Sequence, residues 1–176
     1  MPATTGVSRG EPRWLDDAEQ QTWRAYLNAS RLLFEVLDRE LQRAAGIPHT
    51  YYEILVRLSE APGRTLRMNE LARASMSSPS RLSHAVARLE ELGWVRRERC
   101  HEDRRGLLAV LTEAGFSGLA AAAPGHVEAV RAHLFDPLSS AQVACMREIS
   151  DTLVDHLRSV PDQGGGLARV GRHYPQ

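Results

Sequence analysis

Arg81, His84 and Arg88 recur at three- and four-residue steps, on the side of a helical repeat opposite Leu82, Val86 and Leu89. A guanidinium fork can meet two acceptors on the edge of a guanine, and an imidazole can meet a base or a phosphate. Ser77, Ser78 and Ser80 cluster where this stretch begins. There, free N–H groups and the helix dipole favour a phosphate. A second group, Arg96, Arg97, Arg99, Arg104 and Arg105, falls within ten residues. The first row alone could equally be a solvated helix face. The second group tips the reading toward a phosphate-facing surface.

The charge count needs the same local reading. The 176 residues carry 22 basic and 22 acidic side chains, and every basic one is arginine. A formal net charge of zero excludes a uniformly basic binder. Yet Pro62 to Thr112 holds 10 Arg against 6 acids, a local +4, and the remainder carries −4. The 43% apolar content is ordinary for one globular domain and excludes wholesale disorder. No run of about 18 apolar residues exists to span a membrane. Met1 to Pro12 lacks an apolar leader core, so the expected location is cytoplasmic. Cys100 and Cys145 make no disulfide framework.

The elements that must hold these side chains are mostly helical. Residues 1–12 read as a loose arm and 161–176, with Gly164 to Gly166, as a tail. Between them lies one domain, 13–160. Its first helix, about 16–45, carries Trp23, Tyr26, Leu27, Phe34, Leu37 and Leu41, widened by Leu32, Leu33 and Val36. So broad an apolar face needs more than one packing surface, and a partner subunit would supply it. Gly46 and Pro48 stop it. A second helix uses Tyr51, Ile54, Leu55 and Leu58 and ends at Pro62-Gly63; a short third, about 67–74, uses Met68, Leu71 and Ala72. Ser78-Pro79 opens the fourth, a hydroxyl cap followed by a proline whose missing N–H costs nothing. Its inward residues are Leu82, Ala85, Val86, Leu89 and Leu92, and Gly93 closes it. Two β-prone runs, Trp94 to Arg99 and Leu107 to Thr112, flank a polar link and predict a hairpin. Thr112 caps a helix to about Phe135, with a kink at Pro124. A last helix, about 140–158, uses Val143, Met146, Ile149, Leu153 and Leu157.

Short helix, turn, longer helix and hairpin make a winged helix-turn-helix, here about 48–112, flanked by dimerisation helices at about 16–45 and 113–158. The predicted fold class is mainly α with a small β-hairpin wing. Its long second helix fits a major groove about 12 Å wide.

Asp103-Arg-Arg105, followed by Gly-Leu-Leu-Ala-Val and Leu111-Thr112, resembles the D-x-R…L-T wing signature of the MarR (multiple antibiotic resistance regulator) family. Glu70-Leu-Ala, Arg88 to Gly93 and Thr112 to Gly115 stand at that family's spacing, so the resemblance runs from about Trp23 to Leu157. It implies a homodimeric transcriptional regulator; the expected function is repression, and dimer symmetry predicts an inverted-repeat operator in double-stranded DNA. It further implies that Arg105 enters the minor groove, that Asp103 orients the wing, and that Arg104 meets a phosphate. Family members often release DNA when a small aromatic or phenolic effector enters the cleft between dimer helices and reading lobe. Trp14, Trp23, Tyr26, Tyr51 and Tyr52 lie in the segments that would line it. Three positions depart from the family pattern. Met76 stands where glycine is frequent, Ser77 where an apolar residue is usual, and Cys100-His101 where Asp-Pro is common.

The sequence also bears on other chemistries. Cys100 lies among Arg97, Arg99, His101 and Arg104, whose charges would favour a reactive thiolate and a redox-responsive regulator. Cys145 reads as a small buried hydrophobe. His126 and His133 are seven residues apart, about 10 Å along a helix, too far to share one metal ion. No cofactor motif appears: there is no phosphate-binding glycine loop, nucleophile elbow or dinucleotide fingerprint, so an enzyme is not expected. His101-Glu-Asp could imitate acid/base residues, but on an exposed wing nothing would exclude water. A winged helix used only for protein contacts is the remaining alternative.

Overall fold

The computed structural model describes residues 12–100 and 106–160. Helix α1 (Asp17–Ala45) opens with a reciprocal cap: Asp16 accepts from the Glu19 amide, and Glu19 accepts from that of Asp16. Gly46 ends it in the left-handed conformation at φ 70°, its N–H donating to the Gln42 carbonyl. Helix α2 (His49–Glu60) and a tight turn (Pro62–Arg64) lead to strand β1 (Thr65–Arg67), then α3 (Met68–Ala74) and α4 (Pro79–Glu91). Strands β2 (Val95–Arg99) and β3 (Leu107–Leu111) form the hairpin. Helix α5 (Glu113–Val130), a π-helical turn (Arg131–Phe135) and α6 (Ser140–Ser159) complete the described chain.

The sheet has three antiparallel strands in the order β1-β3-β2. Its register pairs Leu66 with Ala109 and Arg97 with Ala109 across the two ladders. Strand β1 is an addition to the predicted hairpin. At three residues it carries no alternation that a sequence pattern could reveal, and β3 provides the hydrogen bonds that define it.

The core is gathered by α2, α3, α4 and the sheet, and Leu41 of α1 with Leu119 and Ala122 of α5 joins it. Leu55, Leu58, Leu71, Val86 and Leu89 are fully enclosed, with Leu82, Val95 and Ala109 beside them. Each enclosed leucine contributes about 1.5–3 kcal/mol of burial. Ile47, between the Gly46 cap and Pro48, belongs to this core as well.

Three expectations need correction. Leu92 is 52% exposed, because α4 has already unwound toward the left-handed Gly93. Helix α5 continues through Pro124, which is exposed, as is Ala120, whose carbonyl would otherwise accept from that position. Water can serve that carbonyl, and the irregular turn comes later, at Arg131–Phe135. The cysteines exchange places: Cys100 is buried at the end of β2, whereas Cys145 is exposed on α6. Residues 1–11 of the expected arm and the expected tail, 161–176, lie outside the described residues.

Helix α5 sits against the start of the wing with no room to spare. Thr112 accepts from the Gly115 amide through its hydroxyl, which also lies 2.7 Å from the Gly93 carbonyl oxygen. A Cβ at Gly115 would stand 2.1 Å from the Trp94 carbonyl oxygen, and one at Gly118 would stand 2.8 Å from the Trp94 ring. In an open helix, Gly→Ala gains up to about 1 kcal/mol. Gly125→Ala, with nothing within 4 Å of the added carbon, should show that gain. Gly115→Ala should lose about 1–3 kcal/mol through overpacking. Urea unfolding of the two variants checks the opposite signs.

Candidate nucleic-acid interface

Helix α4 is aimed by its two ends. At its start the Ser78 hydroxyl accepts from the Arg81 amide, with Pro79 at the first helical position. The preceding turn closes through Ser75 N–H to Leu71 O, Met76 N–H to Arg73 O and Ser77 N–H to Ala72 O. Met76 supplies the left-handed residue at φ 47° and leaves its side chain 78% exposed. A non-glycine residue there costs about 1–2 kcal/mol, which the surrounding hydrogen bonds hold in place. At the other end, Gly93 at φ 72° turns the chain into β2.

The inward face of α4 is Leu82, Val86 and Leu89. The outward face presents Ser80, Arg81, His84 and Arg88, all exposed. The Arg81 guanidinium has no ion-pair partner among the described residues, whereas Arg88 pairs with Glu91 one turn on. Ser77 is half-buried, and Ser78 is exposed but already holds the cap. The spacing therefore brought Ser80, Arg81, His84 and Arg88 to one surface as expected.

Arg97 has a different occupation. Its backbone N–H donates to Glu90 Oε1 at 2.9 Å, and its Nε donates to Oε2 at 2.8 Å. Its Nη2 stands 2.6 Å from the same Oε2. The hydrogen bond from Arg97, opposed by partial burial, holds the Glu90 carboxyl below the usual glutamate range. The pair crosses from the last turn of α4 to strand β2, so it fixes the wing against the helix. Sequence reasoning missed Glu90 because α4 ends and the chain turns at Gly93 before Arg97, so no helical or strand spacing relates the two residues. Arg96 likewise pairs with Glu98 at 2.6 Å. The sequence-predicted His101, Asp103, Arg104 and Arg105 lie outside the described residues.

The five aromatic residues expected to line an effector cleft do not converge. Trp14 is exposed ahead of α1, and Trp23 and Tyr26 stack on each other at 6.3 Å on its exposed first half. Tyr52 is buried on α2 against His126 at 4.5 Å, with Tyr51 half-buried beside the core. Trp23 and Phe34, which meets His49 at the head of α2, are about 16 Å apart along α1. A separate cleft of about 330 Å³ opens between α1 and α5, lined by Leu37, Glu40, Leu41, Arg43, His126 and Ala129 among others. None of the five aromatics borders it. Burial, then the nearby His49, lowers the His126 pKa, and burial raises that of Tyr52. His133 bonds Glu40 at 2.9 Å. No group of three metal-ligating side chains occurs among the described residues, and none of their helices is long and apolar enough to cross a membrane.

Burial also bears on Cys100. Its backbone N–H donates to the Gly106 carbonyl and its side chain is buried, in contrast to the accessible thiols that favour redox chemistry.

The Glu90–Arg97 pair has a signed pH signature. A lowered folded-state pKa contributes stability above the ordinary glutamate value, and that contribution is lost as pH falls through the folded value. Arg97→Ala should return Glu90 to the ordinary range, read by carbon-detected NMR titration of its carboxyl. The stability gap between wild type and Arg97→Ala should be constant near neutrality and shrink below about pH 4.

The fold has counterparts among known proteins. The sequence model of the MarR family matches residues 45–106. Sco3205 from Streptomyces coelicolor, a MarR family transcriptional regulator solved in complex with DNA, is 51% identical; the alignment covers 88% of this chain and 95% of that one, with a TM-score of 0.81. AbsC, a MarR family regulator from the same organism, is 45% identical over 85% of this chain and all of that one, with a TM-score of 0.77. The transcriptional repressor MprA of Escherichia coli is 26% identical over 71% of this chain and 70% of its own. The capped α4, the wing behind it and the likeness of nearly the whole chain to Sco3205 and AbsC make it a member of the MarR family of transcriptional regulators.

Proposed function

We propose that this chain is a homodimeric repressor that reads an inverted-repeat operator, with α4 in the major groove and the wing in the adjacent minor groove. The observation that carries this reading is the outward row Ser80, Arg81, His84 and Arg88 on a helix whose opposite face is wholly enclosed. Arg81 reads a guanine edge, and the Ser77–Ser80 end and Arg88 meet phosphates. Arg105 inserts in the minor groove, with Arg104 on a phosphate and Asp103 orienting the tip. Arg97 acts through Glu90 as a positioning residue. Support comes from Sco3205, whose structure is a DNA complex, and from MprA, which is named a repressor.

Self-association follows from α6. This 20-residue helix buries no side chain within the chain, and Ile149, Leu153 and Leu157 are each about half exposed. A helix of that length is marginal in water without packing of its apolar face. The exposed Trp23, Tyr26, Leu27 and Phe34 of α1 present a matching apolar surface. A second copy covers both. A small aromatic effector, if it acts on this dimer, has the α1–α5 cleft with Arg43 and His126 at its edge as the supported place to bind.

Gel shifts on the protein's own upstream DNA, across a salt series, test the reading. Sequence-selective binding that weakens steeply with salt is expected. Arg81→Ala should cost about 1–3 kcal/mol and relax preference at one position in each half-site. An equal loss on every sequence would make Arg81 a phosphate contact. Leu153→Asp should yield monomers by sedimentation and abolish tight operator binding.

A further inference from the structure

We propose that Arg64 is a positioning residue that sets the angle between the reading lobe and α5, and thereby the half-site separation the dimer accepts. The inference rests on the dimeric reading above. Arg64 lies in the turn between α2 and β1 and has a positive φ of 53°, directly after Gly63 at 60°. Two successive left-handed residues swing its side chain across to a helix 49 residues later. There its guanidinium lies 3.7 Å from the centroid of the Phe116 ring, and its Nη1 donates to Glu113 Oε1 at 2.9 Å. Arginine alone combines a flat face for the ring with a fork for the carboxylate.

The grip is one half of a pair. At about 100° per residue, Glu113 and Phe116 share one face of α5, while Gly115 and Gly118 occupy a face roughly 160° away. Trp94 is packed on that second face. The first turns of α5 are thus held from the wing side by Trp94 and from the α2–β1 corner by Arg64. The Trp94 contact is tight, its carbonyl against Gly115 and its ring against Gly118. The Arg64 contact is solvent-accessible and made by one flexible side chain, so it is the contact that can tune the angle. A small rotation there is carried by α5 toward the dimer frame and moves the two α4 helices relative to each other.

The test uses full-length protein on operator duplexes whose half-site centres are 9, 10, 11 or 12 base pairs apart (roughly one helical turn). Wild type should prefer one separation at least tenfold over the worst. Arg64→Ala and, independently, Phe116→Leu should remain dimeric by sedimentation, yet reduce that preference to under threefold. Arg64→Lys, which keeps charge without the flat face, should fall between. Spin labels at Ser80→Cys, with both native cysteines replaced by alanine, should show a broader α4-to-α4 distance distribution in Arg64→Ala. Dimeric variants that keep the wild-type preference within twofold and the wild-type distribution would overturn the clamp while leaving the dimeric reading standing. A monomeric wild type would defeat the dimeric reading and the clamp with it.

Discussion

The close approach of α5 to Trp94 is the constraint on which the remaining geometry depends. Helix α5 can lie on the first residue of the wing only because positions 115 and 118 carry no Cβ. That contact joins two objects with different physics. The buried core is centred on α2, α3, α4 and the sheet, and Leu41 of α1 with Leu119 and Ala122 of α5 joins it. The α1–α6 frame has little core in one chain and exposes large apolar side chains instead. If the joint were soft, the start of α5 would be held to the lobe only by Arg64 and by the burial of Leu119 and Ala122. Thr112 reinforces the joint, since one hydroxyl both caps α5 and lies within hydrogen-bond reach of the Gly93 carbonyl oxygen at the end of α4.

Local chemistry made much of this legible. Ser78-Pro79, Gly46, Gly93 and Thr112 each mark a boundary by a backbone requirement that few other residues meet, and the structure has its boundaries there. The outward row on α4 followed from periodicity, since three- and four-residue steps put side chains on one face. What escaped the sequence depends on contacts between distant segments. β1 exists through its partner β3, and the Glu90–Arg97 and Arg64–Phe116 contacts join residues 7 and 52 positions apart with no repeating signal. The two cysteines were misplaced for the same reason. Cys100 follows four exposed positions yet is itself buried, and Cys145 lies on a helix whose apolar face is uncovered in one chain. The aromatics failed to gather because helical spacing fixes a face and says nothing about which end of a helix a neighbour reaches.

The arginines divide by partner. Arg88, Arg96 and Arg97 each have a glutamate within seven residues, and Arg64 has Glu113. The local excess of positive charge is therefore concentrated on fewer side chains than the count suggests. Exposed pairs such as Arg88–Glu91 and Arg96–Glu98 are worth about 0–1 kcal/mol each, so a phosphate can draw the guanidinium away at little cost. The Glu90–Arg97 pair is different in kind. Its side chains are each about two-thirds enclosed and joined by three polar contacts, one through the backbone of β2. Withdrawing that guanidinium would leave a partly desolvated carboxylate beside the wing and release the strand it holds. The weak pairs thus leave their guanidinium groups exchangeable, whereas the strong one holds strand β2 against α4.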